Sequence, residues 1–316
     1  MRVPYFCGFD MEKRYYDLNS YFRSVFGCRV HKITLDAGMT CPNRDGSLSV
    51  GGCIYCNERG SGNGAYREGL SVTDQLEAGK KALSRRYKAK KFIAYFQSYS
   101  NTYAPLPRLR SLYDEALAVS DIVGLSIGTR PDCVDDKKLD LLASYAEDCM
   151  VWVEYGLQSA NNDTLRRINR GHDVECFLRA VQSTRERGIL VCAHVILGLP
   201  GETRNDMLHT ADVLANAGID GVKLHLLYVV KGTVLEKWYR AGRYKCLSKD
   251  DYIDTVCAFI ARLPESVVIQ RLTGDPHESE LVAPLWALEK QKNIAAIKKR
   301  LVEKDLYQGK HMAEKR

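Results

Sequence analysis

The chain has no apolar run approaching the length needed to span a bilayer. Its first residues, MRVPYFCGFDMEKRYYD, hold no uninterrupted hydrophobic stretch of the kind a secretory leader needs. A soluble, unsecreted protein is therefore expected. Internal repeats and low-complexity linkers are also missing. Of 316 residues, 45% are hydrophobic and 27% charged, the ordinary globular balance, which argues against a fibrous or disordered class. Nor is there a regular disulfide framework. The eleven cysteines are odd in number and most sit singly inside apolar stretches, so a reducing cytoplasm fits better than an oxidising compartment.

The formal net charge is +7, and the basic residues gather in two places. Lys80 to Lys91 contains seven Lys or Arg and no acid, and Trp286 to Arg316 contains nine against four acids. Solvated helix faces are the commoner reason for such runs, and polyanion binding is the alternative. In the second cluster Ile294, Ile297, Leu301 and Val302 recur at helical spacing, which leaves Lys298, Lys299, Arg300 and Lys304 largely off the apolar stripe and free to meet phosphate.

Strand-like and helix-like segments alternate. Strands are expected near His31 to Asp36, Phe92 to Gln97, Ile122 to Gly128, Val151 to Gln158, Leu190 to Leu197 and Val222 to Tyr228. Amphipathic helices are expected at Thr73 to Tyr87, Leu106 to Val119, Val174 to Arg187 and Thr203 to Ala217. This order predicts an α/β fold with a parallel sheet of right-handed βαβ units. The period-2 pattern adds curvature: Val151, Val153, Tyr155 and Leu157 share one face of their strand, while Trp152, Glu154, Gly156 and Gln158 share the other. An open, doubly covered sheet would read as continuous apolar runs. A curled sheet with a polar lumen accounts for Glu154, Gln158, His194, Lys223 and His225 together, at positions where buried charge is otherwise costly. The expected division is an N-terminal extension over 1–29, a partial (β/α)6-type barrel over 30–232 and a partly helical, basic C-terminal extension over 233–316.

Cys41, Cys53 and Cys56 fall in one glycine-rich loop, LDAGMTCPNRDGSLSVGGCIYCNERGSG, that follows the first strand with spacing C-x11-C-x2-C. Chemistry in parallel α/β and barrel folds sits beyond the carboxyl ends of strands, where this loop lies. Three thiolates do not close a structural zinc site, although a His or a distant Cys could complete one. A redox CxxC would open a helix, and here the pair runs into NERGSG. Three cysteines on an iron–sulfur cluster leave one iron open to a substrate or cosubstrate.

CPNRDG…GGCIYC, SIGTRPD at Ser126 to Asp132, EYGLQSANNDTLRRINRGH at Glu154 to His172 and HVILGLPGET at His194 to Thr203 occur in the order seen in radical S-adenosylmethionine (SAM) enzymes. Over nearly the whole chain the sequence resembles this superfamily, and within it the branch of the Elongator catalytic subunit. The cysteine loop and the segment RLTGDPHE are most similar to a bacterial group of radical SAM proteins, predicted iron–sulfur oxidoreductases.

The resemblance implies a radical SAM barrel, a [4Fe-4S] cluster on Cys41, Cys53 and Cys56, and SAM on the open iron. Tyr55 would pack beside the adenine. Gln158 and Arg170 would touch SAM, Arg170 pairing with the methionyl carboxylate. His194 would face the ribose, and Gly198, Pro200 and Gly201 would approach the adenosyl end. Glu154 belongs with this set. Gln97 and Ser98 stand where relatives have a glycine-rich turn and could meet the amino group. Where many relatives carry a Glu after the third strand, this chain has Gly128, Thr129 and Arg130. Lys223 and His225 are the candidates for substrate contact, with Cys192 behind them. Cys7, Cys28, Cys133, Cys149, Cys176, Cys246 and Cys257 form no second cluster motif and read as ordinary cysteines.

Reductive cleavage of SAM to a 5′-deoxyadenosyl radical, and hydrogen abstraction from a substrate in the lumen, are the implied chemistry. An electron donor such as flavodoxin or ferredoxin is the implied partner. The Elongator branch acts on tRNA wobble uridine, so a tRNA base is one expected substrate, and a small metabolite or peptide is another. No acetyltransferase domain follows the barrel in this sequence, so acyl transfer is not expected. The rival from another class is a zinc-stabilised, non-catalytic RNA-binding protein using the same cysteines.

Overall fold

The computed structural model describes residues 13–57 and 65–313. Cys7 and the NERGSG tail of the cysteine loop from residue 58 onward lie outside them.

Strands β1 (Val30–Leu35), β2 (Lys91–Phe96), β3 (Ile122–Thr129), β4 (Met150–Gln158), β5 (Leu190–Leu197) and β6 (Gly221–Leu226) pair side by side, all parallel, in chain order. A short strand β7 (Val229–Val230) then leaves the sheet, and β8 (Val268–Arg271) returns to it beside β6 as the seventh strand. β9 (Leu281–Ala283) pairs antiparallel with β7. Helix α1 (Leu18–Phe26) precedes β1. The crossovers are α2 (Val72–Tyr87), α3 (Leu106–Ala118), α4 (Asp136–Ala146), α5 (Asn162–Arg167) with α6 (Val174–Glu186), and α7 (Arg204–Ala217). Beyond the barrel run α8 (Val234–Arg240), α9 (Lys249–Ile260), α10 (Lys290–Glu303) and α11 (Lys310–Ala313).

Local chemistry fixes these boundaries. Ser71 with Asp74, and Thr203 with Asp206, form reciprocal capping boxes that start α2 and α7. Asp17, Asp135 and Asp173 cap α1, α4 and α6 through side-chain oxygens. Gly218 ends α7 in the left-handed conformation.

Both faces of the curled sheet follow the alternation. Leu125, Ile127, Val151, Val153, Tyr155, Val191, Val195, Val222 and Leu224 join the surrounding helices in one outer core. The inner face is divided along the strands. At the amino-terminal end Ile93, Met150, Trp152, Cys192 and Val268 pack against Tyr21 and Phe22 of α1, which plugs that end. Trp152 is fully buried and meets Tyr21 edge-on at 5.7 Å between ring centres. Its truncation to Ala would cost about 3–5 kcal/mol. At the carboxyl end the inner face turns polar. β8 comes from the region beyond residue 232, so this part of the chain completes the sheet as well as extending it.

The apolar stripe of α10 differs from the sequence expectation. Ile297 and Leu301 are buried, Ile294 is partly so, and Val302 is 57% exposed. Arg300 pairs with Asp250 and Asp254, and Lys304 with Asp254 at 2.9 Å. Two of the four cations expected to be free are thus spent holding α10 to α9.

Candidate active site

The cysteine loop folds back on itself beyond the end of β1. Arg44 N and Asp45 N donate to the Cys41 carbonyl, Gly52 N donates to Asn43 O, and Cys56 N donates to Cys53 O. All three cysteines are free thiols. Two cationic side chains attend them. Arg170 Nη1 lies 3.7 Å from Cys53 Sγ, joined there by the Asn43 amide at 3.6 Å, and Arg44 stands beside Cys56. Burial pushes the Cys56 thiol up to about 11, with Arg44 pulling against it. Such a donor set suits a buried group held by several thiolates, whose charge the guanidinium groups offset.

Among the described residues, the one His, Cys, Asp and Glu group compact enough for a single ion is Glu154, Cys192 and His194. Lys32 and Lys223 already neutralise Glu154 there.

The loop forms one wall of a cavity of about 660 Å³ at the carboxyl ends of the strands. This volume is within the range of small-molecule sites. Cys41, Cys53, Tyr55, Cys56, Gln97, Thr129, Arg130, Glu154, Gln158, Arg170, His194 and His225 all line it, so most of the expected site residues converge.

Arg170 differs in detail from the expectation. Its Nε and Nη2 donate to the Gly156 carbonyl at 3.2 and 2.7 Å, so the guanidinium is committed within the chain, between β4 and Cys53. Burial disfavours its charge, but Cys53 and Tyr55 outweigh that and hold the guanidinium protonated. The glycine at 156 makes room for this approach, because a Cβ there would stand 2.6 Å from Arg170 Nη2 and 2.5 Å from Gln158 Nε2 and displace one or both side chains. Gln158 itself has φ of 77°, a left-handed conformation unusual for a side-chain-bearing residue, at an irregularity that ends β4. Arg130 is differently placed. Its Nε and Nη2 chelate Asp132 at 2.8 and 2.6 Å, while its Nη1 is buried without a partner. An orphaned guanidinium nitrogen in a cavity is what an anionic ligand group would satisfy.

Ser98, Gly198 and Pro200 are not brought to the cavity lining. Ser98 is fully buried. The Gly198 carbonyl accepts from the Tyr244 hydroxyl at 2.9 Å, and the Pro200 carbonyl from Arg167 Nη1 at 2.9 Å. Gly201, with φ of 82°, leaves room for Arg167, which would sit 1.7 Å from a Cβ there. The GLPGE turn therefore reads as the joint between β5 and α7.

Glu154 holds the floor of the cavity together. Fully buried, it accepts from Lys32 Nζ at 2.5 Å, from His194 Nε2 at 2.6 Å, and from Lys223 and Ser126. Burial would raise its pKa, but Lys223, Lys32 and His194 hold it well below the carboxylate range. Burial takes His194 down to about 4 and Lys223 down to about 7, against the pull of Glu154. Lys223 lies beneath the cavity and does not line it, and its ammonium sits 4.0 Å over the Tyr95 ring.

Lys32, Tyr95, Arg44, Gly156 and Arg271 were missed from sequence. Lys32 alternates inward with Thr34, a signal available in β1 but weak in six residues.

The first basic cluster lies toward the far end. Lys91 is in register with Val30 at the start of β1, so α2 delivers Arg85 and Arg86 to the amino-terminal edge of the sheet. α10 starts near the cavity, where Lys290 pairs with Asp275 at 2.5 Å, and runs away from it; Gln308 beyond its end bonds the carbonyls of Pro264 and Val267 ahead of β8. Exposed Lys237, Arg243 and Lys245 lie instead on a segment joined to the cysteine loop, its Leu235 N donating to Ile54 O at 2.9 Å.

No helix among the described residues is long and apolar enough to cross a membrane.

Comparisons with known proteins agree with this architecture. The chain is 42% identical over 301 residues to the uncharacterized protein YtqA of Bacillus subtilis (strain 168), covering 95% of this chain and 94% of the relative. It is 31% identical over 170 residues to Elongator complex protein 3 of Schizosaccharomyces pombe, which spans 51% of this chain but 31% of that protein. The solved structure of the archaeal Methanocaldococcus infernus Elp3 superposes with a TM-score of 0.68 at 18% identity, over 88% of this chain and 64% of that one, and so shares the fold. The family model "Radical_SAM C-terminal domain" matches residues 219–303, and "Radical SAM superfamily" matches residues 41–214. The chain belongs to the radical SAM superfamily, enzymes that use a [4Fe-4S] cluster and SAM.

Proposed function

We propose that Cys41, Cys53 and Cys56 hold the [4Fe-4S] cluster of this enzyme, that SAM occupies the adjoining part of the cavity, and that hydrogen is abstracted from a substrate in the lumen. The observation that carries this reading is the set of three free thiols on one wall of a polar cavity, two of them attended by Arg170 and Arg44. When bound, the cluster and SAM supply reductive cleavage to a 5′-deoxyadenosyl radical. Arg170 offsets thiolate charge at Cys53 while bracing the Gly156 carbonyl. Arg130 offers its unpaired Nη1 to the methionyl carboxylate. Tyr55 packs against the adenine, and Glu154 fixes His194 through the 2.6 Å hydrogen bond. The enclosing strands exclude water from a reactive intermediate.

The substrate we favour is a nucleic-acid base, with tRNA the leading candidate. It is supported by the likeness to Elongator complex protein 3 and by Lys237, Arg243 and Lys245 beside the cysteine loop. Flavodoxin or ferredoxin in a reducing cytoplasm is the matching electron source. Anaerobic reconstitution with iron and sulfide tests the cofactor reading through metal content and 5′-deoxyadenosine release under a strong reductant. Comparing modified nucleosides and metabolites in cells with and without the protein tests the substrate. Unchanged nucleosides with a changed small metabolite would replace the tRNA reading.

A further inference from the structure

One wall of the cavity is built by β6, β8 and the RLTGDPHE segment. Arg271, the last residue of β8, is brought into register with Lys223 across a local irregularity and lines the cavity. Among the described residues it has no ion-pair or hydrogen-bond partner. Neighbouring acids are already engaged. Glu154 belongs to Lys32 and Lys223, Asp275 pairs with Lys290 at 2.5 Å, and Glu280 accepts from Asn57 at 3.1 Å. Beside Arg271, His225 lines the same wall with its Nε2 buried and unpartnered. Burial, then the charge of Arg271, keeps that imidazole neutral, so it can present one N–H to a ligand. A cation and a polar ring nitrogen left unsatisfied in a cavity are costly, and a ligand that completes them recovers that cost.

We propose that Arg271 and His225 form a subsite for an oxyanion of the substrate, a carboxylate or a phosphate, on the wall formed by β6 and β8. The inference rests on reading the cavity as the substrate site. A guanidinium is matched to such groups by its planar fork of donors, whereas a neutral or cationic substrate group would leave Arg271 uncompensated. Lys223 is engaged by Glu154 and does not line the cavity, so Arg271 is the cation that this wall presents to a ligand.

The test uses cluster-loaded protein labelled with ¹⁵N-histidine, titrated with sodium malonate and with sodium phosphate, with and without SAM, at ionic strength held by sodium chloride. A saturable shift of one histidine ring signal is expected, the signal absent from His225→Asn, together with a rise in Tm. Arg271→Gln should weaken the anion roughly tenfold or more, and Arg271→Lys should restore part of the loss. Tighter malonate supports a carboxylate, and tighter phosphate a phosphate. A response no greater than that to chloride, or equal affinity in Arg271→Gln, overturns the subsite. Should Arg271→Gln fail to fold, unaltered anion affinity in His225→Asn does the same. Failure of the parent protein to form 5′-deoxyadenosine would instead sink the proposed function and leave the titration readable.

Discussion

Lys32 on β1 donates to Glu154 on β4 at 2.5 Å, reaching across the lumen of the curled sheet past β2 and β3. With Lys223 on β6, His194 on β5 and Ser126 on β3, this makes Glu154 the common acceptor for residues of four strands. Removing the carboxylate leaves Lys32 and Lys223 buried without the anion they share. Glu154→Ala should therefore lose about 3–5 kcal/mol in urea unfolding, and Glu154→Gln somewhat less because its amide still accepts. Because the folded pKa lies below the ordinary 4.5, the contribution of Glu154 is present above that value and disappears as the pH falls through the folded pKa. Parent-like stability of Glu154→Ala at neutral pH would refute this account.

Single substitutions Cys41→Ala, Cys53→Ala and Cys56→Ala should each abolish the reconstituted cluster, measured as about four irons per chain. The other cysteines should be dispensable. Cys133, Cys192 and Cys257 are buried, and burial pushes Cys133 up to about 12, so they are poor thiolate sources. Full iron content in any of the three variants would remove that residue from the ligand set.

Arg130 and Arg170 should separate in their effects. Arg130→Gln is expected to weaken SAM binding about tenfold with iron retained, because it removes the free Nη1. Arg170→Gln is expected to alter the cluster itself, lowering its reduction potential or its retention, because its guanidinium lies against Cys53. Equilibrium SAM binding and a redox titration read the two separately. An unaltered cluster in Arg170→Gln with lost SAM affinity would return Arg170 to the role of direct carboxylate partner.

Glu202 gives a pH signature outside the cavity lining. Burial raises its pKa to about 7 despite hydrogen bonds with Ser159 and Thr164. A carboxyl raised on folding binds more protons in the folded state between its unfolded value of 4.5 and about 7, so stability should fall as pH rises through that window. Glu202→Gln should flatten this part of the stability profile. A parent profile already flat from 4.5 to 7 would contradict it.

If RNA is the substrate, phosphate contacts should come from the side of the cysteine loop. Neutralising Lys237, Arg243 and Lys245 should flatten the salt dependence of tRNA binding, by about one unit of slope per lost contact. Neutralising Arg85 and Arg86 should change it less, given their place at the amino-terminal edge of the sheet. Fluorescence titrations across a salt series compare the two sets. The reverse ranking would move the RNA to the far face, and weak binding insensitive to both sets would favour a small-molecule or peptide substrate.

Local chemistry settled the first six strands and most crossover helices, since period-2 and period-3.6 patterns and Ser, Thr or Asp caps act within a few residues. Inward-facing Glu154, Gln158, His194 and His225 were legible for the same reason, and the cysteines from their spacing. β8 was not. Four residues, VIQR, carry too little alternation, and only the free edge of β6 together with α1 beneath it gives them a place. The partners of Glu154 were also hidden, because Lys32 and Lys223 lie 122 and 69 residues away and meet it only once the sheet curls. The different fates of Arg130 and Arg170 were hidden as well: Arg130 is held by Asp132 with one nitrogen unpaired, while Arg170 is fully committed where the glycine at 156 lets it approach β4. Sequence determines which residues face the lumen, because alternation is local. Which of them remain unsatisfied there, and so can hold a ligand, is decided by distances between strands that only closure of the sheet sets.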